Sequence, residues 1–138
     1  MLFRSNPLAT AAGIATLRLA DTDAYAHVNT ASLTVQAALG EALDAAGVEH
    51  RIQTAGNLFS VFFGSDAAAN GVRSYAEAKA ADTFRYPPFF HAMLDAGVAL
   101  PPSVFEAWFL SSAHDDAALN RIAEALPAAA RAAASATA

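Results

Sequence analysis

The sequence predicts an α+β domain, a small antiparallel sheet covered by helices. Three observations carry that expectation. Apolar residues recur at three- and four-residue steps through long stretches, as on one face of a helix. Two short extended runs, His50–Ala55 and Leu58–Phe63, meet at Gly56-Asn57, a two-residue hairpin connection. The resulting order is helix, helix, hairpin, helices, strand, strand, helix, without the strand–helix alternation of a parallel sheet.

Taken in order, Ser5-Asn6-Pro7 reads as a helix start, with Asn6 as N-cap and Pro7 in the first turn of a helix over residues 7–20. Asp21-Thr22-Asp23 caps a longer helix to about Ala46, ended by Gly47. Tyr25, Val28, Ser32, Val35, Leu39 and Leu43 form its apolar face. The second extended run, Leu58–Phe63, is apolar on both faces but for Ser60, which predicts a central, covered strand.

Residues 64–73 read as a loop. Ser74-Tyr75-Ala76-Glu77 has capping-box spacing and opens a short helix to about Ala81. Asp82-Thr83 caps a further turn, and Pro87-Pro88 breaks or restarts a helix that continues through Phe89, Phe90, Met93 and Leu94 to Gly97. Short strands are expected at 98–100 and 105–111, separated by Pro101-Pro102. Asp115 or Asp116 caps a last helix through Leu119, Ile122 and Leu126, which Pro127 should stop. The alanine-rich tail, residues 128–138, is expected to fray.

Composition narrows the function classes. At 138 residues the chain has one domain's length and can bury roughly 68% of its unfolded surface. Eight basic and 13 acidic residues give a net charge of −5, with no basic stripe to follow phosphates, so nucleic acid is not an expected partner. Without cysteine there is neither disulfide nor thiolate metal site. No unbroken apolar stretch has the length of a membrane span, and Asn6-Pro7 falls where a signal peptide would need an apolar core. A cytoplasmic domain is the expectation.

Few residues point to chemistry. His27, His50, His91 and His114 show no metal-ligand spacing, and no metal site is expected. No serine sits in a nucleophile elbow, and no glycine cluster follows a strand to cradle a phosphate. Arg73 and Arg85 are candidates for binding a carboxylate. Lys79, the only lysine, lies in a polar helix and reads as a surface residue. Glu106 is the anomaly: the one carboxylate in the otherwise apolar run 104–110. Buried without partners it would cost several kcal/mol or take up a proton. It therefore sits in water at a strand end, or it faces a polar pocket.

SNPLATAAG, TAGNLFSVFF and YAEAKAADTFRYPPFFHAMLDAGVALPPSVFEAWFLSSAHDDAAL together resemble, in order and spacing, the C-terminal part of the glutamate-1-semialdehyde 2,1-aminomutases. These are pyridoxal-phosphate enzymes related to the class III aminotransferases, and FFHAMLDAGVALPPSVFEA carries the most specific part of the likeness. Phe105-Glu106-Ala107 stands where wider aminotransferases commonly have an arginine for the substrate carboxylate. The resemblance implies the C-terminal small domain of a fold-type-I pyridoxal-phosphate enzyme, residues 21–127. A helix from the large cofactor domain would precede it in residues 1–20, and the alanine-rich tail at 128–138 would follow. It also implies a small-molecule substrate and a homodimeric full-length enzyme.

The same resemblance makes Glu106 an active-site rim residue. It puts the cofactor-linking lysine upstream of these residues, so no cofactor-binding residue is assigned here. The family's Gly-Thr pair before Asn-Pro is replaced by Met1-Leu2, and Arg4-Ser5 stands where Ser-Gly is usual, so the chain reads as a fragment that is inactive alone. Trp108 replaces a glycine common in the family. Two other readings stay open: a fragment of another class III aminotransferase, or a stand-alone, non-catalytic α+β binding module.

Overall fold

The computed structural model describes residues 6–138. The departures at Met1, Leu2, Arg4 and Ser5 lie outside the described residues. Helix α1 (Pro7–Leu19) begins as its sequence dictates, with the Asn6 side chain accepting from the amides of Leu8 and Ala9. None of its residues is buried, and Leu8, Leu17 and Leu19 are each at least 75% exposed.

Helix α2 (Thr22–Ala45) is capped by Asp21, whose carboxylate accepts from the Ala24 amide at 2.9 Å. It ends where Gly47 takes φ +68°, letting the Gly47 and Val48 amides bond back to the Asp44 and Leu43 carbonyls. Ala31, Ser32, Val35, Leu39 and Leu43 make its buried face. The expected stripe is thus one turn shorter at its start, with Val28 half-buried and Tyr25 exposed.

Strands β1 (His50–Ala55) and β2 (Leu58–Phe63) form an antiparallel hairpin in register from His50↔Phe63 to Ala55↔Leu58. Gly56 takes φ +65° at the turn. The tip is tied to α2, where the buried Ser32 hydroxyl donates to the Asn57 carbonyl at 2.8 Å and accepts from Gln36. Phe59, Val61 and Phe63 are buried, whereas Leu58 is 40% exposed, so β2 buries chiefly one face.

Helix α3 (Ser65–Asn70) corrects the expected loop. Three consecutive alanines favour the helix, Asp66 complements its N-terminus, and glycines at φ +107° and +73° bracket it. Helix α4 (Tyr75–Ala80) has the Ser74 cap, but Glu77 reaches back to the amide of Arg73 rather than that of Ser74. A single 3₁₀ turn (Thr83–Arg85) leads into α5 (Tyr86–Asp95), with Pro87 and Pro88 in the first turn, where their missing amides cost nothing.

Helix α6 (Asp116–Ala134) corrects two expectations. Pro127 does not end it, and the alanines from 128 to 134 are helical rather than frayed. Pro127 and Ala123, whose carbonyl loses its helical donor, are both exposed, so water can satisfy the vacancy. On the opposite face Leu126, Ala129, Ala130 and Ala133 are wholly buried. Small side chains let α6 pack closely on both α5 and α2. Arg85 then holds the far end, donating to the Ala133 carbonyl at 2.9 Å.

The expected strands at 98–100 and 105–111 do not form. The first is irregular, and the second makes one antiparallel bridge, Trp108 to Phe59. A turn at 102–106, in which the Glu106 amide bonds to the Ser103 carbonyl, takes up the chain needed for a longer ladder. The mixed helical and two-stranded antiparallel architecture is nonetheless α+β. One core joins α2, β2, α5 and α6 through Leu39, Leu43, Phe63, Phe89, Met93 and Leu126.

Candidate functional site

A cleft of about 700 Å³ is bordered by residues 97–101, residues 106–110 and the first half of α6. Val35 of α2 and Phe59 of β2 also line it. Its surface is mostly apolar, with Glu106, His114 and Arg121 as its ionisable groups.

Glu106 is exposed and stands on the cleft border between two anchors. On one side the Tyr86 hydroxyl donates to the Pro101 carbonyl at 2.6 Å. On the other, Trp108 exchanges two backbone hydrogen bonds with Phe59, at 2.7 and 3.1 Å. Val104 and Trp108 are buried, while the three residues between them, Phe105, Glu106 and Ala107, face out. The run 104–110 therefore tolerates a carboxylate because its turn directs that residue into water at the cleft, with no ion pair among the described residues.

Beside this turn the titration of Tyr86 is displaced. Burial pushes its phenol up to about 12; a polar contact with Trp108 pulls against that shift, and the Glu106 charge adds to it. The phenol is neutral at ordinary pH, a donor to Pro101. Trp108 packs at 5.4 Å from Phe59 and 6.1 Å from Phe89, ring centre to ring centre. Its indole therefore fills core rather than the cleft mouth, although its edge lines the cleft.

Of the remaining candidates only His114 lines the cleft. Arg85 is engaged by Asp82 at 3.0 Å and by the Ala133 carbonyl, so its guanidinium is not available to a substrate carboxylate. Arg73 is exposed, away from the cleft. His50 bonds the Val48 carbonyl, His27 the His114 carbonyl, and His114 accepts from the Ser111 amide; His91 stands edge-on to Phe90. Among the described residues no group of three or more metal-ligating side chains occurs. No helix among them is long and apolar enough to cross a membrane.

Sequence reasoning missed Tyr86 and Arg121. A tyrosine ahead of two prolines carries no local sign that its hydroxyl will meet a carbonyl fifteen residues on. Arg121 lies over Gly97, where an added Cβ would sit 3.3 Å from its Nη1, a pairing invisible in either segment alone.

The solved structures define the class. The fold matches part of an omega-transaminase from Sphaerobacter thermophilus with a TM-score of 0.75, at 22% identity over 94% of this chain and 28% of that one. It also matches the Sphingopyxis sp. MTA144 FumI protein, solved in its PLP internal aldimine form, with a TM-score of 0.66, 24% identity, and 87% and 25% coverage. The architecture is that of one part of the pyridoxal-phosphate aminotransferase fold.

The sequence is more specific. It is 57% identical over 129 residues to the glutamate-1-semialdehyde 2,1-aminomutase of Cutibacterium acnes, covering 94% of this chain. The chain matches the C-terminal part of an aminomutase of that kind, as its motifs implied, and spans 29% of the relative's length. No protein-family model matches it.

Pyridoxal phosphate does not fit the residues present by themselves. Lys79 is exposed on α4, its ammonium 5.9 Å from the Tyr75 ring centre, and does not line the cleft. No covalent anchor for the cofactor borders the cleft among the described residues.

Proposed function

We propose that this chain forms the small domain of a pyridoxal-phosphate-dependent glutamate-1-semialdehyde 2,1-aminomutase. The full-length enzyme exchanges amino and carbonyl groups within one five-carbon substrate, giving 5-aminolevulinate for tetrapyrrole synthesis in the cytoplasm. The observation that carries this reading is the 57% identity over 129 residues. Residues 21–127, together with the rest of α6 to Ala134, whose Ala129, Ala130 and Ala133 share the same core, are the closing domain, and α1, with no buried residue, is the helix that packs on the large cofactor domain of a homodimeric enzyme.

The cofactor, held elsewhere in that enzyme, supplies the electron sink. This chain supplies a cleft wall that excludes water when the domain closes, and Glu106 at its rim. Glu106 borders the substrate site and orients the reacting molecule by its charge. With no lysine at the cleft, the 138-residue chain alone is inactive.

The test replaces the matched stretch of the Cutibacterium acnes relative with this chain. The chimera is expected to form 5-aminolevulinate with no external amino acceptor. Turnover only with an added acceptor would instead favour another class III aminotransferase, the reading to which the transaminase folds lend weight. A folded, cofactor-loaded chimera inactive in both assays would leave a non-catalytic module.

A further inference from the structure

Glu106 sits in a turn held at both ends, by the Tyr86 hydroxyl on the Pro101 carbonyl and by the Trp108–Phe59 bridge. Between those anchors Val104 is buried and holds the turn from inside. On the outer side the Phe105 ring meets the Tyr75 ring of α4, their centres 5.3 Å apart and their planes tilted by 49°. The Phe105 amide is tied within the turn, donating to the Ser103 hydroxyl at 3.2 Å. Tyr75 is steadied by its own helix: the Lys79 ammonium, one turn along α4, stands 5.9 Å from the same ring centre.

Neither ring lines the cleft. Tyr75 is 68% exposed and Phe105 46% exposed, so the pair adds little to the core. Two aromatic rings in tilted contact still attract each other beyond the area they bury. Here that attraction acts on the residue next to Glu106, and a shift of Phe105 carries the Glu106 backbone with it. We propose that Tyr75 is a positioning residue for Glu106, its ring bracing Phe105 so that the neighbouring carboxylate keeps one orientation at the cleft border. This role rests on the reading of Glu106 as a substrate-site residue. It brings α4, which does not border the cleft, into the construction of that site.

The first experiment is amide nitrogen relaxation, measured by NMR on the 138-residue chain. Tyr75→Ala is expected to lower the order parameters of Phe105, Glu106 and Ala107 from about 0.85 toward about 0.6, with Trp108, Phe59 and the unfolding midpoint almost unmoved. Tyr75→Phe keeps the ring contact and is expected to restore them. In the chimera, Tyr75→Ala is expected to lower kcat about threefold or more, and to add nothing once Glu106→Gln is present. Unchanged order parameters overturn the proposal. So does a loss that adds in full to that of Glu106→Gln, because a merely structural role acts independently of the carboxylate. An effective Glu106→Gln beside a silent Tyr75→Ala refutes the brace and leaves the substrate-site reading standing. A silent Glu106→Gln removes that reading, and the positioning role with it.

Discussion

Trp108 and Phe59 are joined twice, by a pair of backbone hydrogen bonds at 2.7 and 3.1 Å and by rings 5.4 Å apart. This single bridge ties the Glu106 turn to the sheet. Two residues from the bridge, the Glu106 backbone is held near the sheet, with its amide bonded to the Ser103 carbonyl.

Trp108→Ala removes a side chain that is 5% exposed and packed on two phenylalanines. It should destabilise the fold by about 3–5 kcal/mol, the range for emptying a large aromatic site. Urea unfolding of the variant beside Trp108→Phe checks this, with the phenylalanine variant keeping most of the stability.

Ser32→Ala leaves the Asn57 carbonyl without its donor and the Gln36 amide without its acceptor. Ser32 is 1% exposed, so the loss should be about 1–3 kcal/mol rather than the small change expected at a surface serine. Denaturant midpoints measure it, and hydrogen exchange near the hairpin tip should rise first.

Two glycines give opposite expectations. Gly64 takes φ +107°, and a Cβ there would stand 3.0 Å from the Asp82 carboxyl carbon, so Gly64→Ala should cost about 1–3 kcal/mol. Gly13 lies inside α1 with nothing within 4 Å, so Gly13→Ala should raise helix content by circular dichroism. Because α1 buries no residue, that second change should leave the global unfolding midpoint almost unmoved.

Tyr86 makes stability fall in strong alkali. Its folded pKa, about 12, lies above the ordinary value of 10.0, so the folded state holds its proton longer. The associated stability is fully present below pH 10 and is lost as pH rises toward 12, amounting to roughly 2–3 kcal/mol. Unfolding free energies from pH 9 to 12 should fall more steeply for the native chain than for Tyr86→Phe. Parallel slopes would contradict the burial argument.

The caps and the hairpin were legible because their causes are local. Asn6, Asp21 and Ser74 each accept from amides of the helix they open, Asp115 rather than Asp116 caps α6, and Gly56-Asn57 turns the hairpin with the expected strand limits; Asp82, expected to cap the turn at Thr83, makes no cap bond and pairs with Arg85 instead. The failures are tertiary. Pro127 stays helical because Leu126, Ala129, Ala130 and Ala133 bury their face of α6 while the proline faces water. The strand expected at 105–111 shrank to one bridge because the turn at 102–106 consumed its first residues. At the cleft, Glu106 stood out as an anomaly, but the Tyr86–Pro101 and Trp108–Phe59 anchors that hold it join distant segments and left no local mark.

Glu106 is proposed to border a working substrate site. The most direct measurement is turnover and intermediate lifetime in the chimera with and without Glu106→Gln, which keeps the size of the side chain and removes its charge. The account predicts about a tenfold or greater fall in turnover with an altered intermediate lifetime, while cofactor loading and the unfolding midpoint stay as they were. Unchanged turnover and unchanged lifetimes would contradict it, leaving Glu106 a solvated carboxylate at the end of a turn.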